Sequence, residues 1–119
     1  MDCVFCKIAS GEIKADFLFE DDAVVAFRDA RPIAPEHVLI IPREHIASMN
    51  DMREKHQALL GAMLYQGAAL AKELNIADGG YKLLIRTGRH GGQEVPHVHL
   101  HLIGGAPLTE GIRPINRGL

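Results

Sequence analysis

Three histidines occupy alternate positions in the run His97-Val98-His99-Leu100-His101, and the whole chain of 119 residues contains seven. Near neutral pH an imidazole can act as a nucleophile, transfer a proton or bind a metal. Because side chains alternate between the two faces of a strand, we expect the three imidazoles on one face and Val98, Leu100 and Leu102 on the other. Each buried ring nitrogen needs a hydrogen-bond partner, so packing alone does not explain the pattern. The alternative is a polar strand that faces solvent.

The spacing of these histidines disfavours one shared metal ion. Neighbouring imidazoles on one face of a strand stand about 6.6 Å apart and the outer pair about 13 Å apart, given a rise of about 3.3 Å per residue. Nitrogen ligands of one zinc ion lie within about 4 Å of each other, given Zn–N distances of about 2.0–2.1 Å. We therefore expect the imidazoles to act without a metal, each in its own role.

Cys3 and Cys6 are the two cysteines of the chain, and two residues separate them. A disulfide across so short a loop would restrict the unfolded chain very little. The spacing is that of half a zinc site, which needs further ligands from elsewhere in the chain. Two buried, reduced thiols are the alternative interpretation.

The composition is that of a globular protein, with 47% hydrophobic and 24% charged residues. We expect one domain over residues 1–119, large enough for a core without disulfides. The formal charge of −2 provides no basic surface for nucleic acid or anionic membranes. No apolar stretch reaches the about 18 residues of a membrane span, and Met1-Asp2-Cys3 does not begin like a signal peptide, so the expected location is the cytoplasm.

Two helices are predicted to help position these side chains. A short one is expected over Cys3–Ser10, and a long one from about Met52 to Leu74, with Asp51 and Glu54 in the places of a capping box. Apolar residues at three- and four-residue steps predict which face of the long helix is buried. That stripe consists of Leu60, Met63, Leu64, Gly67, Ala71 and Leu74.

The remaining apolar runs are typical of strands separated by turn residues. The predicted strands are Phe17–Phe19, Val24–Phe27, His37–Ile41, Tyr81–Arg86 and Val98–Ile103, with a hairpin between the first two, a loop over Arg31–Pro35 and a Gly-rich turn from Gly88 to Gly92. Because strands outnumber helices and nothing alternates as βαβ, we predict an α+β fold in which a five-stranded antiparallel sheet packs against the long helix.

Several motifs occur together in this chain. Gly91-Gly92-Gln93-Glu94-Val95 leads into the alternating histidines, Gly104-Gly105 follows them, and the upstream segments are Asp29-Ala30-Arg31-Pro32-Ile33-Ala34-Pro35-Glu36-His37 and Ile41-Pro42-Arg43-Glu44-His45. In this combination the sequence resembles the histidine triad (HIT) family, in particular its Hint branch, over nearly its whole length. The resemblance implies a HIT domain and a homodimer that joins two sheets, which would use an unpaired sheet edge.

The resemblance further implies a nucleotide hydrolase that works without a catalytic metal. Its expected substrates are purine nucleoside phosphoramidates, with His99 attacking the α-phosphorus to form a nucleotidyl-histidine that water hydrolyses. His101 would hold the phosphate, while His37 and His97 would orient neighbouring rings or relay a proton. The alternatives are a dinucleoside polyphosphate hydrolase that uses the same His99 and a nucleotide-binding interaction protein whose turnover is incidental.

The resemblance also assigns contacts to the nucleotide. Asp29 would take the ribose hydroxyls with Ala30 beside it, although a turn former is the alternative role for Asp29. Backbone amides near Gly92 to Glu94 would hold the phosphate, and Gln93 would contact the phosphate or the leaving group. The apolar slot for the base would contain Phe5, Ile8 and Phe27, for which plain core packing is the alternative.

Arg86 is a departure from the family, which usually has asparagine at this position near the ribose and the α-phosphate. A guanidinium is larger and charged, so Arg86 would bind phosphate, pair with a carboxylate or narrow the substrate range. Pro96 replaces the aromatic residue that commonly precedes the three histidines, and it removes one backbone donor.

In some members of the wider family, two histidines complete a cysteine pair at the positions of His45 and His97. This implies a closed structural zinc site formed by Cys3, Cys6, His45 and His97, which would leave His99 available for chemistry. The competing interpretation is two buried thiols and a surface histidine. His56 and His90 are expected to be exposed polar residues without a role in the site.

Overall fold

The computed structural model describes residues 2–115. In chain order the helices and strands are α1 (Val4–Ala9), β1 (Phe17–Glu20), β2 (Val24–Arg28), β3 (Glu36–Pro42), α2 (Gln57–Glu73), β4 (Tyr81–Ile85), α3 (Gly88–Gly91) and β5 (Leu100–Gly104). The strands form one antiparallel sheet in the order β1-β2-β3-β5-β4. This confirms the predicted α+β fold, including the hairpin of β1 and β2. None of the helices within these residues combines the length and the apolarity needed to cross a membrane.

The three middle strands are buried because apolar side chains cover both faces of the sheet. On one face, α2 packs over a core that includes Val38, Ile40, Leu100 and Leu102. On the other face, α1 contributes to a second cluster of buried residues, which consists of Cys3, Phe5, Ile8, Val25, Phe27, Leu39 and Ile41. A side chain on β5 therefore meets protein whichever face it points to.

The long helix begins later than predicted, at Gln57 rather than near Met52. The expected capping box of Asp51 and Glu54 was wrong, because Asp51 belongs to a preceding 3-10 turn. Ser48 caps that turn, and the Asp51 carboxylate accepts a hydrogen bond from the Ser48 amide at 3.1 Å. A second 3-10 turn, Glu54–His56, then leads directly into α2.

The buried face of α2 includes Met63, Gly67 and Ala71 as predicted, together with Leu70. Gly67 permits close approach to the sheet, since a Cβ at that position would lie 2.8 Å from Cδ2 of Leu83 on β4. Leu64 departs from the prediction, because 42% of it is exposed. The apolar surface of α2 therefore extends beyond the side that packs on this sheet.

Candidate active site

The three alternating histidines lie at the start of β5 and are all buried. The predicted strand began at Val98, but β5 begins at Leu100, so His97 and His99 precede the strand and His101 lies within it. His101 pairs with Leu39, which places it on the face covered by α1, while Val98, Leu100 and Leu102 belong to the core beneath α2. The predicted division of faces is confirmed, and the alternative of a solvent-facing strand is wrong.

His99 is held in one orientation by its own neighbours. Its Nδ1 lies 2.7 Å from the carbonyl oxygen of His97, and because a carbonyl only accepts, Nδ1 carries the proton of the neutral ring. The edge of Phe5 packs on the ring at a centroid distance of 5.0 Å. Burial lowers the pKa of His99, and Arg86 acts in the same direction, so the ring is neutral near pH 7. Nε2 of His99 therefore carries an unprotonated lone pair.

A chain of hydrogen bonds fixes the tautomers of His37 and His101 in the same way. The amide of Ile33 donates to Nδ1 of His37 at 3.2 Å, which leaves the ring proton of neutral His37 on Nε2. Nε2 of His37 lies 2.9 Å from Nδ1 of His101 and donates to it. The ring proton of neutral His101 is consequently on its Nε2. A backbone amide in the Pro-rich loop thus determines which nitrogen of His101 is a donor.

Asp29 organises a turn, as one interpretation predicted, and it also lies beside His37. Its contact with the ribose stays a prediction. One carboxylate oxygen accepts a hydrogen bond from the Arg31 amide at 2.8 Å and so organises the turn. The other oxygen lies 3.4 Å from Nε2 of His37. Asp29 is therefore part of the turn and of the histidine cluster at once, and Ala30 beside it is exposed.

The side chain of Gln93 stabilises the loop before the histidines. The side-chain amide of Gln93 donates to the carbonyls of Ala47 and Val95 at 2.7 and 2.9 Å, and its oxygen accepts from the Gly88 amide at 2.9 Å. The backbone amides of Gly92 and Gln93 donate to carbonyls within the same turn. Of the three amides considered for phosphate binding, Glu94 is the one with no acceptor among residues 2–115.

Arg86 follows β4 and reaches the histidine cluster. Its Nη1 lies 3.3 Å from Nε2 of His101. Its aliphatic part lies against Gly92, where an added Cβ would be 3.4 Å from Cδ of Arg86. Gly92 has a φ of +83°, so a glycine there serves both the turn and the passage of this side chain.

The two cysteines and two histidines form a second cluster beside the first. The ligand atoms of Cys3, Cys6, His45 and His97 all lie within 4.8 Å of one another. The Sγ atoms of Cys3 and Cys6 lie 3.4 and 3.6 Å from Nδ1 of His97, and Sγ of Cys6 lies 3.3 Å from Nδ1 of His45. The fully buried His97 ring donates from Nε2 to the carbonyl of Pro42 at 2.8 Å, which leaves Nδ1 unprotonated toward the sulfurs.

The side chain of His97 contacts the two cysteines, and its backbone carbonyl contacts the ring of His99. The His97 ring packs against His45 at a centroid distance of 5.1 Å, whereas the rings that pack on His101 are those of His37 and His99. His97 therefore orients His99 through its carbonyl oxygen. Its ring nitrogens have other partners, which removes them from the proton relay considered above.

Asp29, His37 and His101 also bring ligand atoms within 4.8 Å of one another. The geometry does not suit a cation, because the amide of Ile33 occupies Nδ1 of His37 and keeps a proton on the nitrogen that faces the group. This set therefore fits a hydrogen-bonded array rather than a metal centre.

Sequence reasoning missed two features around the site. The amide of Ile33 carries no side-chain signal, because every residue except proline offers one. His56 was expected to be exposed, but it is buried, donates from Nε2 to Oε2 of Glu44 at 3.1 Å, and accepts from the Arg53 amide at 2.9 Å. Its partner Glu44 adjoins the cluster residue His45. His90 is exposed as expected.

Comparisons with known proteins identify a family and a fold for this chain. The family model described as "Scavenger mRNA decapping enzyme C-term binding" matches residues 2–111. The purine nucleoside phosphoramidase of Escherichia coli strain K12 is 49% identical over 105 residues, which are 88% of this chain and 88% of that protein. A HIT family hydrolase from Legionella pneumophila Philadelphia 1 superimposes with a TM-score of 0.90 at 47% identity, covering 92% of this chain and 98% of the other. A histidine triad protein from Clostridium difficile gives a TM-score of 0.89 at 39% identity, with 92% and 96% covered.

As the pH falls, the His101 ring should be protonated at a higher pH in the unfolded chain than in the folded protein. Burial, with additional effects of His99, Arg86 and His37, lowers the pKa of His101 from 6.5 to about 4. Between these values the unfolded state binds more protons, so the free energy of unfolding falls as the pH drops, by about 2 kcal/mol from pH 7 to pH 5 for this residue alone. We expect the NMR signals of the His101 ring, assigned by comparison with His101→Asn, to stay those of a neutral imidazole at pH 5.5. A midpoint near 6.5 would contradict the buried geometry.

Proposed function

The chain belongs to the histidine triad (HIT) family of nucleotide hydrolases, and from that premise we propose that it hydrolyses purine nucleoside phosphoramidates through a nucleotidyl-histidine at His99. One observation carries the assignment of the nucleophile. The hydrogen bond from Nδ1 of His99 to the His97 carbonyl, 2.7 Å long, leaves Nε2 with its lone pair. The 49% identity to a purine nucleoside phosphoramidase supports the substrate class.

The proposed reaction has two steps at phosphorus. Nε2 of neutral His99 forms a bond to the α-phosphorus while the bond from phosphorus to the amine nitrogen breaks, and the amine leaves with a proton taken from water. In the resulting imidazolium, Nδ1–H of His99 still donates a hydrogen bond to the His97 carbonyl, and this bond stabilises the positive charge. Water then attacks the phosphorus and gives up one proton. His99 returns to its neutral form, and the products are a nucleoside monophosphate and an amine.

The neighbouring groups are suited to hold the phosphate rather than to activate the nucleophile. The charge to be stabilised lies on the non-bridging oxygens, so donors aimed at them contribute most. We assign this role to Nε2–H of His101 and to the amide of Glu94. His37 is a positioning residue, because it acts on the substrate through Nδ1 of His101, 2.9 Å from its Nε2. Asp29 and Ala30 are assigned to the ribose side.

Replacement of the nucleophile should separate binding from turnover. In His99→Ala we expect hydrolysis of an adenosine phosphoramidate to fall by a factor of about 10³ or more, because the covalent step is lost. Binding of adenosine monophosphate, measured by calorimetry, should remain within about tenfold of the wild-type value. Intact mass after brief exposure to substrate should show a nucleotidyl adduct in the wild type and none in the variant.

The matched control for that experiment is His90→Ala, which removes an exposed histidine outside the cluster. It should retain both turnover and the adduct. Unchanged hydrolysis by His99→Ala would exclude His99 as the nucleophile, and an adduct without turnover of the bound nucleotide would instead favour a nucleotide-binding protein.

We also propose a structural zinc ion at Cys3, Cys6, His45 and His97. Tetrahedral coordination with Zn–S of about 2.3 Å and Zn–N of about 2.0–2.1 Å places sulfur and nitrogen ligands about 3.6 Å apart. The observed sulfur-to-nitrogen distances of 3.3, 3.4 and 3.6 Å fit that requirement. His97 also has the expected outer partner, since its Nε2 donates to the Pro42 carbonyl. Four protein ligands would close the site, so the ion would connect α1 to the sheet and take no part in the reaction. Neither cysteine forms a disulfide, which agrees with the cytoplasmic location that we also propose.

Metal content tests the zinc proposal directly. Purified wild-type protein should contain one zinc ion per chain by mass spectrometry of the metal, and Cys6→Ser should contain little. Loss of the ion should also lower the melting temperature, because binding energy at a structural site stabilises the folded state. His56→Gln removes a buried histidine next to Glu44 without touching the four ligands, and it should retain the zinc. Equal zinc in wild type and Cys6→Ser would exclude the site.

We propose a homodimer formed along β4 and α2. β4 is an edge strand of the sheet, and its five residues are half-buried. On α2, Leu64 and Tyr65 are 42% and 75% exposed. A second copy of the chain could pair with the free backbone groups of this edge and bury the exposed apolar side chains, and both effects favour a dimer.

Sedimentation velocity measures this association. The wild type should sediment as a dimer, and Tyr65→Glu should shift the population toward monomer, since it adds a charge to the proposed interface. Ile13→Glu replaces another exposed apolar residue, 37% exposed and distant from α2 in sequence, and should leave the dimer intact. A monomeric wild type, or equal effects of both variants, would exclude this surface.

A further inference from the structure

Arg86 lies between the histidine cluster and Gly92, a residue that lines a neighbouring cavity. Its aliphatic part crosses Gly92, and its Nη1 ends 3.3 Å from Nε2 of His101. Gly92 also lines an open cavity of about 420 Å³. The other residues that line it are Gly88, Arg89, Gln93, Glu94 and Pro96.

Arg86 and His101 cannot satisfy each other. The hydrogen bonds from Ile33 to His37 and from His37 to His101 leave a proton on Nε2 of His101, and a guanidinium has only donors. Two donors 3.3 Å apart therefore face each other without an acceptor between them. A single oxygen about 2.9 Å from both nitrogens would accept from both, and an anionic oxygen would do so best.

The charges around the cavity favour an anionic group beyond that oxygen. The guanidinium of Arg86 carries a positive charge and presents five N–H donors in one plane. One of them suffices for an oxygen shared with His101, which leaves the others for a second acceptor. Arg89 adds a further positive charge to the cavity wall, whereas Glu94 is the one acidic residue that lines it. Pro96, the second departure from the family pattern, lines the same cavity.

We propose that Arg86 determines leaving-group specificity, and that this enzyme prefers nucleotides in which an anionic group lies next to the bond that is broken. The inference rests on the proposed function, since it concerns the group bonded to the phosphorus that His99 attacks. In a phosphoramidate of an α-amino acid, the carboxylate carbon is three bonds from that phosphorus. The planar fork of a guanidinium can bridge two acceptors at such a separation. The β-phosphate of a nucleotide anhydride offers the same anionic chemistry at a similar place.

A matched pair of substrates isolates the charge. Adenosine phosphoramidates of glycine and of glycinamide share the base, the phosphorus and the bond that breaks, and they differ in a carboxylate against a neutral amide. We expect wild-type kcat/KM to favour the glycine compound by about tenfold or more, and Arg86→Asn to reduce that ratio to about one. Turnover of the glycinamide compound should also fall, because the oxygen shared with His101 loses one donor, but by a smaller factor than turnover of the glycine compound. Arg86→Lys keeps the charge without the fork and should retain part of the preference.

Arg89→Asn is the competing variant, because Arg89 itself lines the cavity and also carries a positive charge. If Arg89→Asn loses the preference for the glycine compound and Arg86→Asn retains it, the assignment to Arg86 is overturned. An equal rate for both compounds in the wild type would overturn the inference and leave the proposed function standing. Failure of the wild type to hydrolyse either compound would refute the proposed function and the inference with it. A third substrate, diadenosine triphosphate, distinguishes the sources of charge: a larger Arg86→Asn defect there than on the glycine compound identifies phosphate rather than carboxylate.

Discussion

The site depends on one constraint, which is that a histidine ring removed from water must be held by hydrogen bonds to protein groups. β5 lies in the middle of the sheet with protein on both faces, so His99 and His101 are buried, as is His97 just ahead of them. The carbonyls of Pro42 and His97 accept hydrogen bonds from the rings of His97 and His99. The Ile33 amide acts on His101 through the side chain of His37. Backbone groups fix in this way which nitrogen of each ring holds the proton. The tautomers are thereby built into the fold. A nucleophilic nitrogen and a donor nitrogen are ready before any substrate arrives, which is the preorganisation that phosphoryl chemistry requires.

The sequence allowed the division of the last strand into two faces to be predicted, because alternation is a local property. Val98, Leu100 and Leu102 belong to the core under α2, as their spacing indicated. The four residues of the cysteine cluster followed from a family resemblance, and no periodicity in the chain relates Cys3 to a histidine 94 positions away. Where predictions failed, hydrogen bonds that the pattern of residue types does not show were responsible. His56 is buried because Glu44 and the Arg53 amide satisfy its ring, and the start of α2 is displaced because Ser48 and Asp51 form their own turn.

In the glycine-rich segment before the histidines, most of the groups that were predicted to bind the nucleotide stabilise the loop instead. The backbone donors of Gly92 and Gln93 are used inside the turn, and the side chain of Gln93 ties the turn to Ala47 and Val95. These contacts make the turn rigid. The rigid turn positions the amide of Glu94 and the side chain of Arg86, which lies against Gly92. The positions at which this chain departs from the HIT pattern, Arg86 and Pro96, both adjoin that turn. Variation around a fixed histidine scaffold is a simple way for such a fold to change its substrate.

The cluster of cysteines and histidines joins the first residues of the chain to some of the last. A contact between positions 3 and 97 can form only after nearly the whole polypeptide has left the ribosome, and its loop-closure entropy is correspondingly large. The amino-terminal helix of six residues is too short to be stable alone, so it depends on packing against β2 and β3 and on this cluster. Cys3 and Cys6 are therefore without His97 until the segment that leads into β5 has been synthesised. A chain that stops before His97 lacks the contact that ties its first residues to that segment.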